Sequence, residues 1–136
     1  MPIQVFINLP VKDLEKSKAF FAHLGYNFNP QFTDNNAACM IVSDTIYVML
    51  LTEPFFKGFI NKSIADAHTT KEALICFSAE SREAVDQLVN KALEAGGNCP
   101  TPTQDHGFMY YRSFEDLDGH HWEIMYMDPN HLQTEH

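Results

Sequence analysis

The sequence predicts an α+β fold made of two βαβββ repeats, with helices outside a curved, mainly antiparallel sheet that surrounds a cleft. Three observations carry this expectation. First, an apolar strand-like run, a helix-capping residue, an amphipathic helix and a glycine occur in that order twice. They are Ile3 to Leu9, Asp13, a helix to Leu24 and Gly25, and then Ala73 to Phe77, Ser81, a helix to Ala95 and Gly96. A unit of about seventy residues present only twice is too long for a solenoid. Second, the apolar period changes from strand-like in the runs to helical between them. Val85, Leu88, Val89, Ala92 and Leu93 fall at i, i+3, i+4, i+7 and i+8, one face of a helix. Third, 136 residues with 45% hydrophobic content suffice for one full core. The expected organisation is a single domain, with repeat one over residues 3–53, a linker over 54–71 and repeat two over 72–128.

In chain order, Ile3 to Leu9 reads as a buried strand. Asp13 is placed to cap the helix that follows, its carboxylate accepting from free N–H groups of the first turn. Leu14, Phe20, Phe21 and Leu24 give that helix its apolar stripe, and Gly25 suits the left-handed position after it. Three strand-like runs follow: Tyr26 to Phe32, Ala37 to Val42 and Ile46 to Leu51, with Ser43-Asp44 as a turn. Phe55 to Thr70 reads as a connection of weak helical character whose Phe55, Phe56, Phe59 and Ile60 call for a covering role. The second half runs from a strand at Ala73 to Ser78 to the helix capped by Ser81. An irregular strand through Asn98 to Gln104 comes next, then strands at Phe108 to Phe114 and His121 to Met127.

Composition excludes several functions. A formal net charge of −9 with only 9 Lys and Arg argues against nucleic acid and against acidic membrane surfaces. No apolar run reaches the about 20 residues of a membrane span, and no signal-peptide pattern opens the chain. Cys39, Cys76 and Cys99 are odd in number and lack CxxC spacing, which suits a reducing compartment. A cytoplasmic protein is expected.

Strand alternation sorts the candidate polar residues onto faces. His121, Glu123 and Met125 share one face of the last strand. Asn8 shares a face with Phe6, and Cys76 and Ser78 share the face of Leu74. A carboxylate on an inward face must be paired, solvated or protonated, so Glu123 is a candidate polar anchor or general base. His121 is a candidate proton donor, since its charge switches near neutral pH. Two loop lengths remain open between the last strands. A two- or four-residue loop sets Arg112 opposite Glu123. A five-residue loop from Asp116 sets Ser113 opposite it and Tyr111 on the diagonal, which moves every side chain to the other face.

Leu9-Pro-Val-Lys-Asp-Leu-Glu-Lys-Ser-Lys-Ala-Phe-Phe resembles the start of a vicinal oxygen chelate domain, the superfamily of glyoxalases, extradiol dioxygenases, bleomycin-binding proteins and fosfomycin-resistance enzymes. Glu115-Asp-Leu-Asp-Gly-His-His-Trp-Glu123 resembles its closing signature, a D-x-D-G turn before a strand with a metal-binding glutamate. The resemblance covers about residues 3 to 128 and implies the five-residue loop, with Tyr111 and Ser113 facing the pocket and Arg112 outside. The four metal-ligand positions of the metal-dependent relatives, carried over by spacing, fall on Phe6, Leu50, Leu74 and Glu123. Only the last offers a donor atom, and divalent ions need several O or N ligands.

The resemblance therefore implies a family member whose cleft is apolar and metal-free, with no cofactor expected. Phe6, Val48, Leu50, Leu74, Cys76, Tyr111 and Met125 are the expected wall, and Asn8, Ser113, Glu123 and His121 the polar groups. The expected ligand is a small apolar or aromatic molecule, and a homodimer is expected because relatives commonly pair their repeats. The alternative is an enzyme, lactoylglutathione lyase-like or extradiol dioxygenase-like. It would use one divalent metal ion at a rearranged site (Glu123 and His121) or Glu123 as general base, with His121 as its acid partner.

Overall fold

The computed structural model describes residues 2–130. The chain forms two compact units that divide between Asp66 and Ala67, inside the segment read as a linker. The first contains β1 (Val5–Val11), α1 (Leu14–His23), β2 (Asn27–Phe28), β3 (Ala37–Ile41), β4 (Ile46–Thr52) and the short α2 (Glu53–Lys57). Its sheet runs β1-β4-β3-β2. β1 lies parallel to β4, while β4, β3 and β2 are antiparallel neighbours. Parallel pairing of the first and last strands needs a long crossover, which the helix and the two intervening strands supply.

Local chemistry fixes these elements. Asp13 caps α1 by accepting from the Lys16 N–H, and Gly25 ends the passage at φ 106°, a conformation that favours glycine. One face of the sheet presents Ala38, Met40, Val48 and Leu50, all fully buried, and α1 contributes Leu14, Phe20 and Phe21 to the same core. Each large side chain so buried stabilises the unit by about 1.5–3 kcal/mol.

The second unit contains β5 (Leu74–Ser78), α3 (Arg82–Glu94), β6 (Gln104–Asp105), β7 (Met109–Glu115) and β8 (His121–Met127), in sheet order β5-β8-β7-β6. β5 is parallel to β8 and the other pairs are antiparallel, so each sheet is mixed and mainly antiparallel. Ser81 caps α3 by accepting from the Ala84 N–H. Val85, Val89 and Ala92 on α3 bury against Phe114, Trp122 and Ile124 of β7 and β8. Among the described residues no helix is long and apolar enough to cross a membrane.

Two expected strands are shorter than the apolar pattern suggests. Over Tyr26 to Phe32 only Asn27–Phe28 pairs, and Pro30–Phe32 forms a 3-10 turn capped by Asn29. Pro30 has no N–H to give a ladder, and its fixed φ suits the first position of a helical turn. Over Asn98 to Gln104 there is one isolated bridge, Asn98 to Glu115, and then β6. Pro100 and Pro102 remove the intervening donors.

Candidate functional site

In each unit one sheet face is sealed by a helix and the other is open to side-chain chemistry. On the first unit's sheet, Phe6 lies opposite Tyr47, Asn8 opposite Met49, and Cys39 opposite Met49 on its other side. These residues share the face away from α1. The rings of Phe6 and Tyr47 stack at 5.1 Å between centroids with 12° between planes, although Phe6 remains 52% exposed. A pocket of about 470 Å³ forms over this face, lined by Gln4, Phe6, Asn8, Asn29, Phe32, Cys39, Tyr47 and Met49. No charged side chain is among them. Asn29 and Phe32 enter from the 3-10 turn, and the buried Cys39 forms part of the floor.

Val48 and Leu50 do not belong to this wall. Both are fully buried on the α1 side, where the register pairs Leu50 with Leu9 and Val48 with Ile7. Carrying a ligand position over by spacing missed the open face by one residue, and in a strand one residue reverses the face. Tyr47 and Met49 hold the positions expected for Val48 and Leu50.

In the second unit the five-residue turn Asp116 to His120 joins β7 to β8 and sets Ser113 opposite Glu123 and Tyr111 opposite Met125. On the other side of β8, Leu74, Cys76 and Ser78 pair with His121, Glu123 and Met125. One face therefore gathers Leu74, Cys76, Tyr111, Ser113, His121, Glu123 and Met125, as expected. Arg112 points to the helix side, donating to Asp86 and Asn90 of α3. The His121 Nε2 lies 3.3 Å from the Glu123 Oε2. Ser113 is buried and shares a hydrogen bond with Thr101, Oγ to Oγ1 at 2.5 Å. Leu74 is 59% exposed.

Electrostatics differ among the groups of this face. Burial, and then the negative charge of Glu123, push the Cys76 thiol above its ordinary value, so the neutral thiol is favoured near pH 7 and no cation activates it. For Glu115, burial opposes the charge, but hydrogen bonding and attraction from Lys71 at 2.5 Å outweigh it and lower the pKa.

The closing signature has a structural role that sequence reasoning missed. Asp116 is buried, and its Oδ1 accepts from the N–H groups of Asp118 and His120. Its Oδ2 accepts from the Trp122 Nε1 at 2.9 Å. Burial nevertheless raises its pKa above the ordinary carboxylate value. This carboxylate ties the turn that sets the β7–β8 register and so aims Glu123. An acidic residue six positions before a tryptophan across a D-x-D-G turn is the sequence signal for it.

The residues present do not fit the divalent site implied by the resemblance. Phe6 and Leu74 carry no lone pair, Leu50 is buried on the other face of its sheet, and His121 with Glu123 makes only a two-donor set. Among the described residues no three His, Cys, Asp or Glu side chains gather closely enough to hold a metal ion. Of the pocket-lining residues, Gln4, Asn29, Phe32, Cys39, Tyr47 and Met49 lie outside the expected set. Asn29-Pro30 is a turn signal that marks where the chain folds back beside β3, and the i, i+2 pair Tyr47 and Met49 marks a shared face.

Residues 4–43 match a family model described as bleomycin resistance protein-like, N-terminal. No curated protein sequence matches the chain significantly. Among solved structures, a hypothetical protein from S. aureus is 33% identical with a TM-score of 0.78, over 93% of this chain and 95% of that one. A glyoxalase/bleomycin resistance protein/dioxygenase family enzyme from Burkholderia phytofirmans PsJN has a TM-score of 0.75 at 16% identity, over 93% and 99%. The fosfomycin resistance protein FosX from Listeria monocytogenes has a TM-score of 0.68 at 18% identity, over 96% and 97%. With the repeated βαβββ order, these matches show that the chain has the fold of the glyoxalase/bleomycin resistance/dioxygenase proteins, and that its residues 4–43 carry the sequence features of the bleomycin resistance protein-like N-terminal model.

Proposed function

We propose that the protein binds a small, flat, uncharged aromatic molecule, in the manner of a binding module and without a metal. The observation that carries this reading is the pocket of about 470 Å³ on the first unit's open face, with its stacked Phe6–Tyr47 platform and uncharged lining. Small-molecule pockets typically measure about 300–1,000 Å³, with mostly apolar walls and a few polar groups. The lining fits that description, with Phe6, Phe32, Tyr47 and Met49 for contact area and the side-chain amides for direction. An anionic or cationic ligand would meet no countercharge there.

Quinoline titrated against protein labelled at the methionine methyls tests this directly. The Met49 methyl signal, assigned with Met49→Leu, should shift saturably, and Tyr47→Ala should weaken binding. A Met49 signal untouched by quinoline counts against the proposal. In parallel, Ni, Zn, Fe and Mn titrated into chelator-treated protein should add no stoichiometric ion.

The approach of His121 Nε2 to Glu123 Oε2 at 3.3 Å favours a second reading, an acid–base enzyme in which Glu123 takes a substrate proton. General-base catalysis needs a positioned carboxylate within hydrogen-bond reach of that proton. Any turnover should then fall by about a hundredfold or more in Glu123→Gln, while an unchanged rate removes this reading. Self-association belongs to the same proposal. Phe55 and Phe59 are 38% and 70% exposed and pack edge to face at 5.2 Å, an apolar cluster that a second copy would cover. Sedimentation at the monomer mass of 15.5 kDa under high protein concentration would exclude it.

A further inference from the structure

We propose that the second unit's open face is a binding site for arylalkylammonium ions, in which a small aromatic ring is joined to a primary ammonium by a short tether. This site is separate from the first unit's pocket and independent of the reading given to it. The register of β7 and β8 lays the face out in steps. Tyr111 lies opposite Met125, Ser113 opposite Glu123 and Glu115 opposite His121. Side chains on one face of a strand recur every second residue, about 7 Å apart. The aromatic and thioether step therefore stands directly beside the step that carries Glu123, at a spacing the two strands fix.

The first of these steps suits a ring. Tyr111, Met125 and Met127 are half-buried, and the His106 ring lies 6.2 Å from that of Tyr111. Thioether sulfurs make favourable contacts with aromatic rings and adapt to their outline. The next step suits a cation. Two carboxylates share this face, and they differ in what they hold. Glu115 is matched by Lys71 at 2.5 Å. Glu123 has no lysine or arginine partner among the described residues, and its Oε2 meets the His121 Nε2 at 3.3 Å. The Glu123 side chain is 22% exposed, which leaves the carboxylate within reach of a ligand. A formal net charge of −9 raises the local concentration of cations as well. A two-carbon tether spans the step from ring to carboxylate, since the ammonium need only approach the oxygen to about 2.8 Å.

The test follows the Met125 methyl, assigned with Met125→Leu, while the full chain is titrated at pH 8 with three probes of similar shape. They are 2-phenylethylammonium, 2-phenylethanol and 3-phenylpropanoate. We expect the ammonium to bind about threefold to tenfold more tightly than the alcohol, the span of one charge-assisted hydrogen bond at a part-exposed site. The propanoate should bind most weakly, and added salt should narrow the gap between ammonium and alcohol. Glu123→Gln should abolish that gap and leave the alcohol's affinity as it was, which also shows that the variant is folded. Should the variant fail to fold, the salt dependence and the order of the probes in the wild type decide alone. Tyr111→Leu should weaken ammonium and alcohol by a similar factor. Equal affinity for these two in the wild type overturns the proposal, as does a preference that survives Glu123→Gln or ignores salt. No shift at Met125 with any probe overturns it too. Each of these outcomes leaves quinoline binding at Met49 untouched, so the two sites stand or fall separately.

Discussion

On the first unit's open face stand Phe6, Asn8, Cys39, Tyr47 and Met49, and on the second unit's stand Leu74, Cys76, Tyr111, Ser113, His121, Glu123 and Met125. The scaffolds beneath are alike, each with its first strand parallel to its last and a helix capped by an Asp or Ser side chain. The helix-facing sides are alike too, apolar and buried at Val48 and Leu50 in one unit and at Trp122 and Ile124 in the other. The larger difference lies on the open faces, which are aromatic and uncharged in the first unit, acidic and imidazole-bearing in the second. A face sealed by a helix must be apolar or have its polar groups paired, as Arg112 is with Asp86 and Asn90, because an unpaired polar group there costs about 1–3 kcal/mol. The opposite face is under no such demand, so a repeated fold can carry two chemistries at little cost to either core.

The largest expected effect separates the two faces of one strand. Leu50→Ala should cost about 2–5 kcal/mol, near the upper part of that range, because the side chain is fully buried and its cavity cannot drain to solvent. Met49→Ala, its neighbour on the open face, should cost under about 1 kcal/mol and act on ligand binding instead. Urea unfolding of both variants measures this. Similar losses at the two positions would mean that the open face is as much a core as the helix side.

Next in size is an asymmetry between turns. The β3–β4 turn of the first unit is held at the surface, with the Thr45 N–H on the Ser43 Oγ at 3.4 Å. The β7–β8 turn depends on the buried Asp116 and its bond from the Trp122 indole. Trp122→Phe leaves that carboxylate oxygen without its donor and should cost about 1–3 kcal/mol. The loss should depend on pH. The folded pKa of Asp116 is raised, so its contribution is greatest below the unfolded value of about 4 and declines as pH rises through the folded one. Removing a donor to the charged form steepens that decline. Melting curves of Trp122→Phe should therefore lie nearer wild type at pH 4 than at pH 7, whereas Ser43→Ala should be nearly neutral at both.

How much of this is legible in the sequence follows from what each signal measures. β8 matches the run His121 to Met127 residue for residue, because both of its faces carry a clear alternation and a turn signal bounds it. The Glu123, Ser113 and Tyr111 face is legible once the turn length is known, since one integer fixes every side chain. Tyr26 to Phe32 and Asn98 to Gln104 are not, because backbone donors rather than apolar spacing decide pairing, and Pro30, Pro100 and Pro102 withhold them. The first unit's pocket is the least legible part. Asn29 and Cys39 meet Phe6 only through the β1–β4–β3 register, which no local pattern encodes, and a carry-over displaced by one residue chose Val48 and Leu50 from the wrong side.

A smaller effect belongs to the second unit's surface. The Arg82 guanidinium holds Asp105 through paired bonds at 2.8 and 2.9 Å. Hydrogen bonding from Arg82, then from the Gly107 N–H, lowers the Asp105 pKa to about 2. A depressed carboxylate stabilises above its unfolded pKa of about 4 and loses that contribution as pH falls toward the folded value. Asp105→Asn should flatten the acid limb of the stability profile between about pH 4 and pH 2 and change little at neutral pH, since the pair is exposed and screened. An unaltered acid limb would show that the pair contributes nothing in solution.

The smallest effect compares the cysteines on the two open faces. Burial raises the pKa of both Cys39 and Cys76, but only Cys76 also feels Glu123. The register explains why, since Cys76 and Glu123 are direct neighbours across β5 and β8. Glu123→Gln keeps the shape and removes the charge, so the thiolate fraction of Cys76 rises while its burial is unchanged. Alkylation of Cys76 by iodoacetamide at pH 8 should quicken by something on the order of twofold, because the thiolate is the nucleophile. Cys39, on a different sheet and almost wholly buried, should label at its slow wild-type rate in the same sample. If both thiols quicken together, the substitution has loosened the fold rather than changed a local field. If neither does, Glu123 does not act on Cys76 through space, and the acidic character of the second open face is weaker than its composition suggests.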